Sequence, residues 1–364
     1  MFQFAGGVQE IVVNLHKYLS EKGHDVKIIT PRPRAHYDEV GEDYILVGRS
    51  AKMNTPFNTM VDVGFEADGD EIQAILDEHQ FDVIHFHEPW VPLLSRQILS
   101  RSTSVNIATF HAKLPESVLS KSIVSSVGPY TKSILKYIHA YTAVSPSAAE
   151  HLQSMTDEHI EIIPNAIELD RFRTFKKPST TGKKSIVYLG RLEKRKGVEH
   201  LLTAYSKLRE THDDVELLIG GNGVKKNSLL KTVEQYEIPD VSFLGFVEES
   251  DKVQLLADAD VFCTPALYGE SFGIVLLEAM AVGTPVIGGN NSGYASVMTG
   301  KGKLSLVNPL STDDFAQRLE LFLYDEDIRT LWKKWAKDTV EQYDFNVIAN
   351  HYEKVYKQTV KQYA

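Results

Sequence analysis

The stretch Asp260–Gly283, DVFCTPALYGESFGIVLLEAMAVG, decides the fold. It opens on a short apolar, strand-like run, Asp260–Thr264, and breaks at Pro265. After Gly269 it resumes as an apolar helical pattern placed from about Phe272 onward. A buried strand feeding a helix through a polar loop is half of a βαβ unit. The alternation continues outward in both directions. Downstream lie Pro285–Gly289 and Leu304–Val307. Upstream lie Val241–Gly245, Val215–Gly221 and Ser185–Gly190, with helical periods at Ser250–Ala257 and Val198–Glu210. Further back, Ile160–Pro164, Tyr141–Ser145, Asn106–His111, Asp82–His87 and Asp25–Thr30 repeat the strand pattern, preceded by a helix over Val8–Lys22. Strands alternating with helices predict an α/β chain with parallel sheets covered on both faces.

The length of 364 residues corresponds to two domains at roughly 150 residues each. The stretch Phe175–Lys184, FKKPSTTGKK, has no apolar period and carries Pro178 and Gly182, so it reads as the linker. The expected division is a first domain over 1–174, a linker over 175–184, a second domain over 185–343 and a final amphipathic helix over 344–364. A doubly wound domain normally opens on a strand that feeds its Gly-rich turn. Only five residues precede Gly6-Gly7 here, so that strand is expected to be missing. The net charge of −10 argues against nucleic-acid partners, and the single cysteine, Cys263, excludes intrachain disulfides and cysteine-built metal clusters. No apolar run approaches the roughly 18 residues of a spanning helix, which leads us to expect a cytoplasmic protein.

Two constellations carry chemistry. In GESFGIVLLEAMAVG, the amides of Phe272, Gly273, Ile274 and Val275 form a helix N-terminus suited to an anion, and Gly273 leaves room for a phosphate. Glu270 before the turn and Glu278 inside the helix can then take hydroxyls on either side of that phosphate. The alternative is an ordinary exposed Glu278. The apolar helix body around it argues otherwise, because a carboxylate there needs a partner. In Gly190–Gly197, GRLEKRKG, Arg191 and Lys196 leave the carboxyl edge of a strand, where open α/β sheets bind ligands. A guanidinium and an ammonium suit a diphosphate that gains charge as a bond breaks. Glu193, Lys194 and Arg195 read as solvated loop.

Other features are weaker. His87 and His111 each end an expected strand, and two such histidines on neighbouring strand ends lean towards a site. Gly220-Gly221-Asn222-Gly223 lacks the full dinucleotide fingerprint, so no NAD is inferred. Asp258-Ala259-Asp260 reads as a cap and strand start rather than a metal site, and no metal or other cofactor is expected.

Together, GGVQE at Gly6–Glu10, HFHEPW, TFHA, GRLEKRKG and YGESFGIVLLEAMA resemble the retaining glycosyltransferases of family 4, most closely their phosphatidylinositol mannosyltransferase branch. The resemblance implies the GT-B fold: two Rossmann-like domains facing across a cleft, with the last helix crossing back to the first. It implies that Arg191 and Lys196 hold the donor diphosphate, Glu278 the ribose and Val247 the base, with Glu270 and the amides after it on the transferred sugar and phosphate. Gly7 would approach the diphosphate from the first domain, and His111 would line the reaction centre. Gln9, Asn58 and His87 would lie on the acceptor side.

Two departures stand out. The family's Pro-Asn-Gly turn reads Pro164-Asn165-Ala166, and the lysine after the TFH histidine is replaced by Glu116, with Lys113 nearby. The implied reaction is hexose transfer with retention, mannose from GDP-mannose first and glucose from UDP-glucose second, without a metal. The rival classes are a non-catalytic nucleotide-sugar-binding scaffold and a sugar-nucleotide epimerase. In Lys113–His139, apolar residues including Ile134, Leu135 and Ile138 accompany Lys132 and Lys136. That pattern is expected to give weak, peripheral contact with an anionic membrane, and the resemblance implies that this part of the first domain reaches a lipid-linked acceptor.

Overall fold

The computed structural model describes residues 7–32, 41–54, 60–65, 67–89, 94–113, 129–175 and 182–363. The chain forms two compact units, Met1–Asn165 with Phe345–Ala364 and Ala166–Asp344.

In the first unit, β1 (Ile28–Pro31) and β2 (Tyr44–Val47) pair in parallel, while β3 (Arg49–Asn54) and β4 (Met60–Phe65) pair antiparallel. A four-stranded parallel sheet follows, ordered β5 (Val83–His87), β6 (Val105–Phe110), β7 (Ala140–Ala143) and β8 (Ile160–Ile162). The antiparallel pair departs from the all-parallel expectation. Arg49–Asn54, RSAKMN, has little strand preference of its own, so its pairing with β4 makes it a strand. The strand expected over Asp25–Thr30 begins only at Ile28.

The helix Gly7–Glu21 buries Ile11, Leu15 and Leu19, one side of a regular helical period. The terminal helix Phe345–Tyr363 buries Ile348, Tyr352 and Val355 and lies on β6 beside that first helix. Tyr18 stacks on Phe345 with ring centroids 5.6 Å apart, and the Lys22 ammonium sits 2.7 Å from Glu353. The end of the chain is therefore part of the first unit's core.

The second unit carries one parallel sheet, ordered β11-β10-β9-β12-β13-β14. These strands are β9 (Lys184–Leu189), β10 (Val215–Gly220), β11 (Val241–Gly245), β12 (Val261–Thr264), β13 (Val286–Gly289) and β14 (Leu306–Val307). The chain starts in the middle at β9, winds outward to β11, then returns to β12 and winds the other way. Helices 198–208, 226–235 and 312–324 pack as one group; 249–258, 274–281 and 326–340 pack as another. Strands β12 and β13 are buried along their whole length, which is why their sequences are continuous apolar runs without alternation.

Three boundaries differ from expectation. The units divide at Asn165/Ala166, before the expected linker, because Ile167 bridges to Asp344 and Leu169 and Phe172 are buried in the second unit. Much of the expected linker, 176–181, lies outside the described residues. The last strand is only Leu306–Val307, preceded by a 3-10 turn over Gly300–Ser305. The helix expected from Phe272 begins at Ile274.

Gly197 shows how tightly the sheet's carboxyl edge is packed. It adopts φ +71°, and a Cβ there would lie 2.2 Å from the Pro265 carbonyl oxygen. Left-handed backbone costs other residues on the order of 1–2 kcal/mol before any clash. Gly197→Ala is expected to lower the thermal midpoint by at least about 2–4 °C in calorimetry, the shift of about 1 kcal/mol in a domain this size.

Candidate active site

The reversal of strand order puts β9 beside β12, and the loops leaving their carboxyl ends lie side by side. The loop after β9 carries GRLEKRKG, and the loop after β12 carries Glu270. Two backbone features seam them together: Leu267 donates its amide to the Arg195 carbonyl at 2.8 Å, and Gly197 nests against Pro265. On the far side, Asn291 Nδ2 donates to the Ala266 carbonyl at 3.0 Å.

These loops share a chain of alternating charge. Arg191 Nη1 lies 3.0 Å from Glu193 Oε1, and Glu193 Oε2 lies 3.0 Å from Arg195 Nε. Arg195 Nη1 reaches Glu270 Oε1 at 2.6 Å, and Lys196 Nζ reaches the same oxygen at 2.8 Å. Arg191 is exposed and its guanidinium open to solvent, whereas the Lys196 side chain is largely covered. The expectation that Glu193 and Arg195 are solvated loop is corrected: both are mostly covered and knit Arg191 to Glu270. Lys194 remains exposed.

The helix Ile274–Ala281 begins at Gly273, with φ +108° and no side-chain cap. Phe272 precedes the helix instead of opening it, and its buried ring packs edge-on against Tyr343. The open first turn therefore consists of Ile274 and Val275, both half-buried. Gly273 has a second reason to be glycine besides access for a phosphate. A Cβ at that position would lie 2.7 Å from the Tyr294 ring, which is itself fixed by a 2.9 Å hydroxyl contact with Thr264.

Glu278 is buried, and its Oε1 accepts from Lys252 Nζ at 2.6 Å. Its Oε2 is buried with no hydrogen-bond partner among the described residues. Lys252 also pairs with Glu249 at 2.8 Å. Burial works against the ammonium's charge, yet the carboxylates of Glu278 and Glu249 outweigh it and raise the Lys252 pKa. The partner that a buried glutamate requires thus comes from helix 249–258. Nothing in the sequence near Glu278 signals it. Val247 follows β11 and is half-buried.

In the first unit, β5 and β6 are neighbours and bring His87 and His111 together, His87 Nδ1 to His111 Nε2 at 2.9 Å. His111 is buried. The His85 ring lies tilted beside that of His87 with centroids 4.2 Å apart, and bonds Thr109 Oγ1 at 2.6 Å and the Tyr356 hydroxyl of the terminal helix at 2.7 Å. Glu88 adopts φ +53° and accepts the backbone amides of His111 and, at 2.5 Å, Ala112. Burial lowers the His111 pKa to about 4 against the opposing pull of Asn165, and the His85 pKa to about 3 with a smaller contribution from His111. Burial also holds the His87 pKa well below its usual value and pushes Glu88 up to about 7 against its two backbone amides. Glu88 and His85 were not singled out from the sequence. The HFHEPW stretch held both, but their partners lie on other elements.

Gly7 opens its helix and is exposed, as is Gln9. Gly6, Asn58 and Glu116 lie outside the described residues. Ala166 needs no glycine, since it is not among the residues with positive φ. Lys113 is mostly covered and pairs with Glu150 at 3.3 Å, which engages the charge offered as a substitute phosphate ligand. Ile134, Leu135 and Ile138 were expected to face a membrane; they are buried in the unit, while Lys132 and Lys136 are exposed. That part of the segment is core, and 114–128 lies outside the described residues. No helix among the described residues is long and apolar enough to cross a membrane. Asp258 ends helix 249–258, and Asp260 accepts from the Ser185 amide at 3.0 Å at the opposite edge of the sheet.

Two outcomes follow from these buried charges. Lys252→Met strands the Glu278 carboxylate and should cost about 3–5 kcal/mol in urea unfolding, most of it recovered when Glu278→Gln is added. The second concerns pH. The three imidazoles are neutral when folded and titrate near 6.5 when released, so the unfolded chain takes up more protons as pH falls from 7 towards 4. Glu88, raised to about 7, acts in the opposite sense over the same range. With three groups against one, the first unit should lose stability on acidification, read as faster amide exchange in β5 and β6 at pH 5 than at pH 7 after correction for the intrinsic rate.

The model for glycosyltransferase family 4 matches residues 5–171, and that for glycosyl transferases group 1 matches 170–339. A phosphatidyl-myo-inositol mannosyltransferase of Mycolicibacterium smegmatis is 32% identical over 365 aligned positions, covering 98% of this chain and 91% of that protein. The Mycobacterium leprae protein of the same name is 30% identical, covering 98% and 94%. Among solved structures, a sucrose-phosphate synthase from Thermosynechococcus elongatus superposes with TM-score 0.77 at 20% identity, covering 98% of this chain and 94% of that one. A glycosyltransferase from Rickettsia africae gives 0.74 at 18% identity, covering 98% and 96%. With relatives this similar along nearly its whole length, and with the reversed sheet order placing its charged loops together, the chain belongs to the family 4 glycosyltransferases of GT-B fold.

Proposed function

We propose that the protein transfers mannose from GDP-mannose to a hydroxyl of a lipid-linked inositol acceptor, with retention at the anomeric carbon. The observation that carries the donor half is the convergence of Arg191, Lys196 and the uncapped turn at Ile274 and Val275 on the carboxyl edge between β9 and β12. Anionic leaving groups are stabilised by charges and dipoles already in place, because these need no rearrangement as the bond breaks. The acceptor half rests on the similarity to phosphatidyl-myo-inositol mannosyltransferases along 98% of the chain.

In this reading the diphosphate lies against Arg191 and Lys196, and the ribose hydroxyls turn towards Glu278. The base stands near Val247. Glu270 lies along the transferred sugar, and in the first unit the neutral ring of His111 is the acceptor-side candidate. As the glycosidic oxygen leaves, its charge is taken up by the two cations and the helix amides, and the leaving phosphate removes the proton from the attacking hydroxyl on the same face. The protein's contribution is positioning and electrostatics. A divalent ion is unnecessary in such a site, because the positive potential comes from side chains and amides. Contact with the membrane is peripheral, made while the enzyme engages its acceptor.

The experiment is GDP release from GDP-mannose with vesicles containing phosphatidylinositol, set beside UDP-glucose and beside vesicles lacking the inositol lipid. Acceptor-dependent GDP release and a mannosylated lipid are expected, with EDTA leaving the rate unchanged. Release from UDP-glucose alone would overturn the donor, and indifference to the inositol lipid would overturn the acceptor. Arg191→Ala and Lys196→Ala should each lower kcat about 10²–10³-fold, the usual effect of removing one preorganised charge-assisted contact. Glu278→Gln should chiefly raise KM, since a ribose contact is the same before and during reaction.

A further inference from the structure

We infer that Arg195 is a positioning residue for Glu270, itself held by Glu193, so that the loop after β9 aims the carboxylate that lies along the transferred sugar. The inference rests on the donor site proposed above.

The geometry is specific. Arg195 Nη1 meets Glu270 Oε1 at 2.6 Å and the Gly269 carbonyl at 3.3 Å, so it grips both the side chain and the backbone just before it. Its Nε is taken by Glu193 Oε2 at 3.0 Å. The guanidinium is thus held from two sides, mostly covered, and its plane is fixed by acceptors on two different loops. A planar fork held in this way orients a carboxylate better than an ammonium, which can rotate about its stem. Both Arg195 and Lys196 converge on the same oxygen of Glu270. Two cations on one oxygen compensate its charge and hold that oxygen in place.

Lys196 has a second duty in the proposed site. Its ammonium has three donors, and a bound diphosphate draws on them. Arg195 faces no such demand, because its contacts are internal to the two loops. Glu270 therefore keeps a cation and its orientation when Lys196 turns to phosphate. In this view Arg191, Glu193, Arg195, Glu270 and Lys196 form an alternating chain in which Arg191, Glu270 and Lys196 meet the donor while Glu193 and Arg195 set their neighbours.

A mere loop brace would have the same contacts but a different signature, and a double-mutant cycle separates the two. Turnover of GDP-mannose with phosphatidylinositol vesicles is measured for Arg195→Ala, Glu270→Gln and the pair, with the thermal midpoint of each. Residues in direct contact couple strongly enough to change a rate by about 10- to 100-fold. Arg195→Ala is expected to lower kcat by that amount while KM for GDP-mannose stays within about threefold. In the Glu270→Gln background it should lower kcat no further. Arg195→Lys should recover part of the loss. If Arg195→Ala does not fold, the cycle is run with Arg195→Gln, which keeps a donor and most of the volume.

Unchanged kcat in the folded Arg195 variant, or losses that simply multiply in the pair, would overturn the positioning role and leave the donor site intact. Near-normal kcat in Glu270→Gln would overturn the reading of Glu270 itself, and the positioning role with it.

Discussion

The reversal of strand order between β9 and β12 is the constraint on which the second unit's chemistry depends. A parallel sheet wound outward in both directions from its middle leaves a gap where two neighbouring strands send their loops to opposite faces. The gap falls between the loop bearing Arg191 and Lys196 and the loop bearing Glu270, 74 residues further on from Lys196 to Glu270. Backbone-to-backbone contacts close the seam, with Gly197 against Pro265 and Leu267 bonded to Arg195. The side-chain charges are then held within reach of one another by backbone that is itself fixed. The alternating chain of arginine, glutamate and lysine is stable there because each member is compensated by the next, where a cluster of like charge would repel itself.

Burial of polar groups recurs as a second theme, and each unit solves it with a partner from a distant element. Glu278 sits in an apolar helix and is tolerable only because Lys252 reaches it from the neighbouring helix. In the first unit, His85, His87 and His111 are kept neutral by their surroundings and spend their ring nitrogens on one another, on Thr109 and on Tyr356. The terminal helix thereby does more than cover β6. It supplies the hydroxyl that engages His85, which ties the end of the chain to the strand that ends in His87.

The distribution of what was legible follows from range. The strands of the second unit, their parallel character and the placement of GRLEKRKG and GESFGIVLLEAMA at strand ends are local matters, written in short apolar runs broken by glycine and proline. Arg191, Lys196, Glu270 and Glu278 could be picked out because each lies within a few residues of a strand end or a helix start. The β3–β4 pair escaped because RSAKMN has no strand character until Met60–Phe65 lies beside it. The unit boundary was misplaced because composition marks a polar linker, whereas Ile167 joins the second unit through a bridge to Asp344 far along the chain.

The sequence by itself determined the class of fold, the family and the loops that carry chemistry, since hydrophobic period, turn residues and motif spacing are properties of neighbours along the chain. Only the tertiary structure decided which charges meet. Arg195 looked like solvated loop until the β12 loop was laid beside it, and Lys252 meets Glu278 only because its helix packs on that of Glu278. Likewise Ile134, Leu135 and Ile138 had an apolar face suited to a membrane, and the first unit's core took it instead. Burial and pairing depend on which distant segments share a volume. That information arises when the sheet is wound, because a side chain's solvation and its partners are set by three-dimensional neighbours that the local sequence does not name.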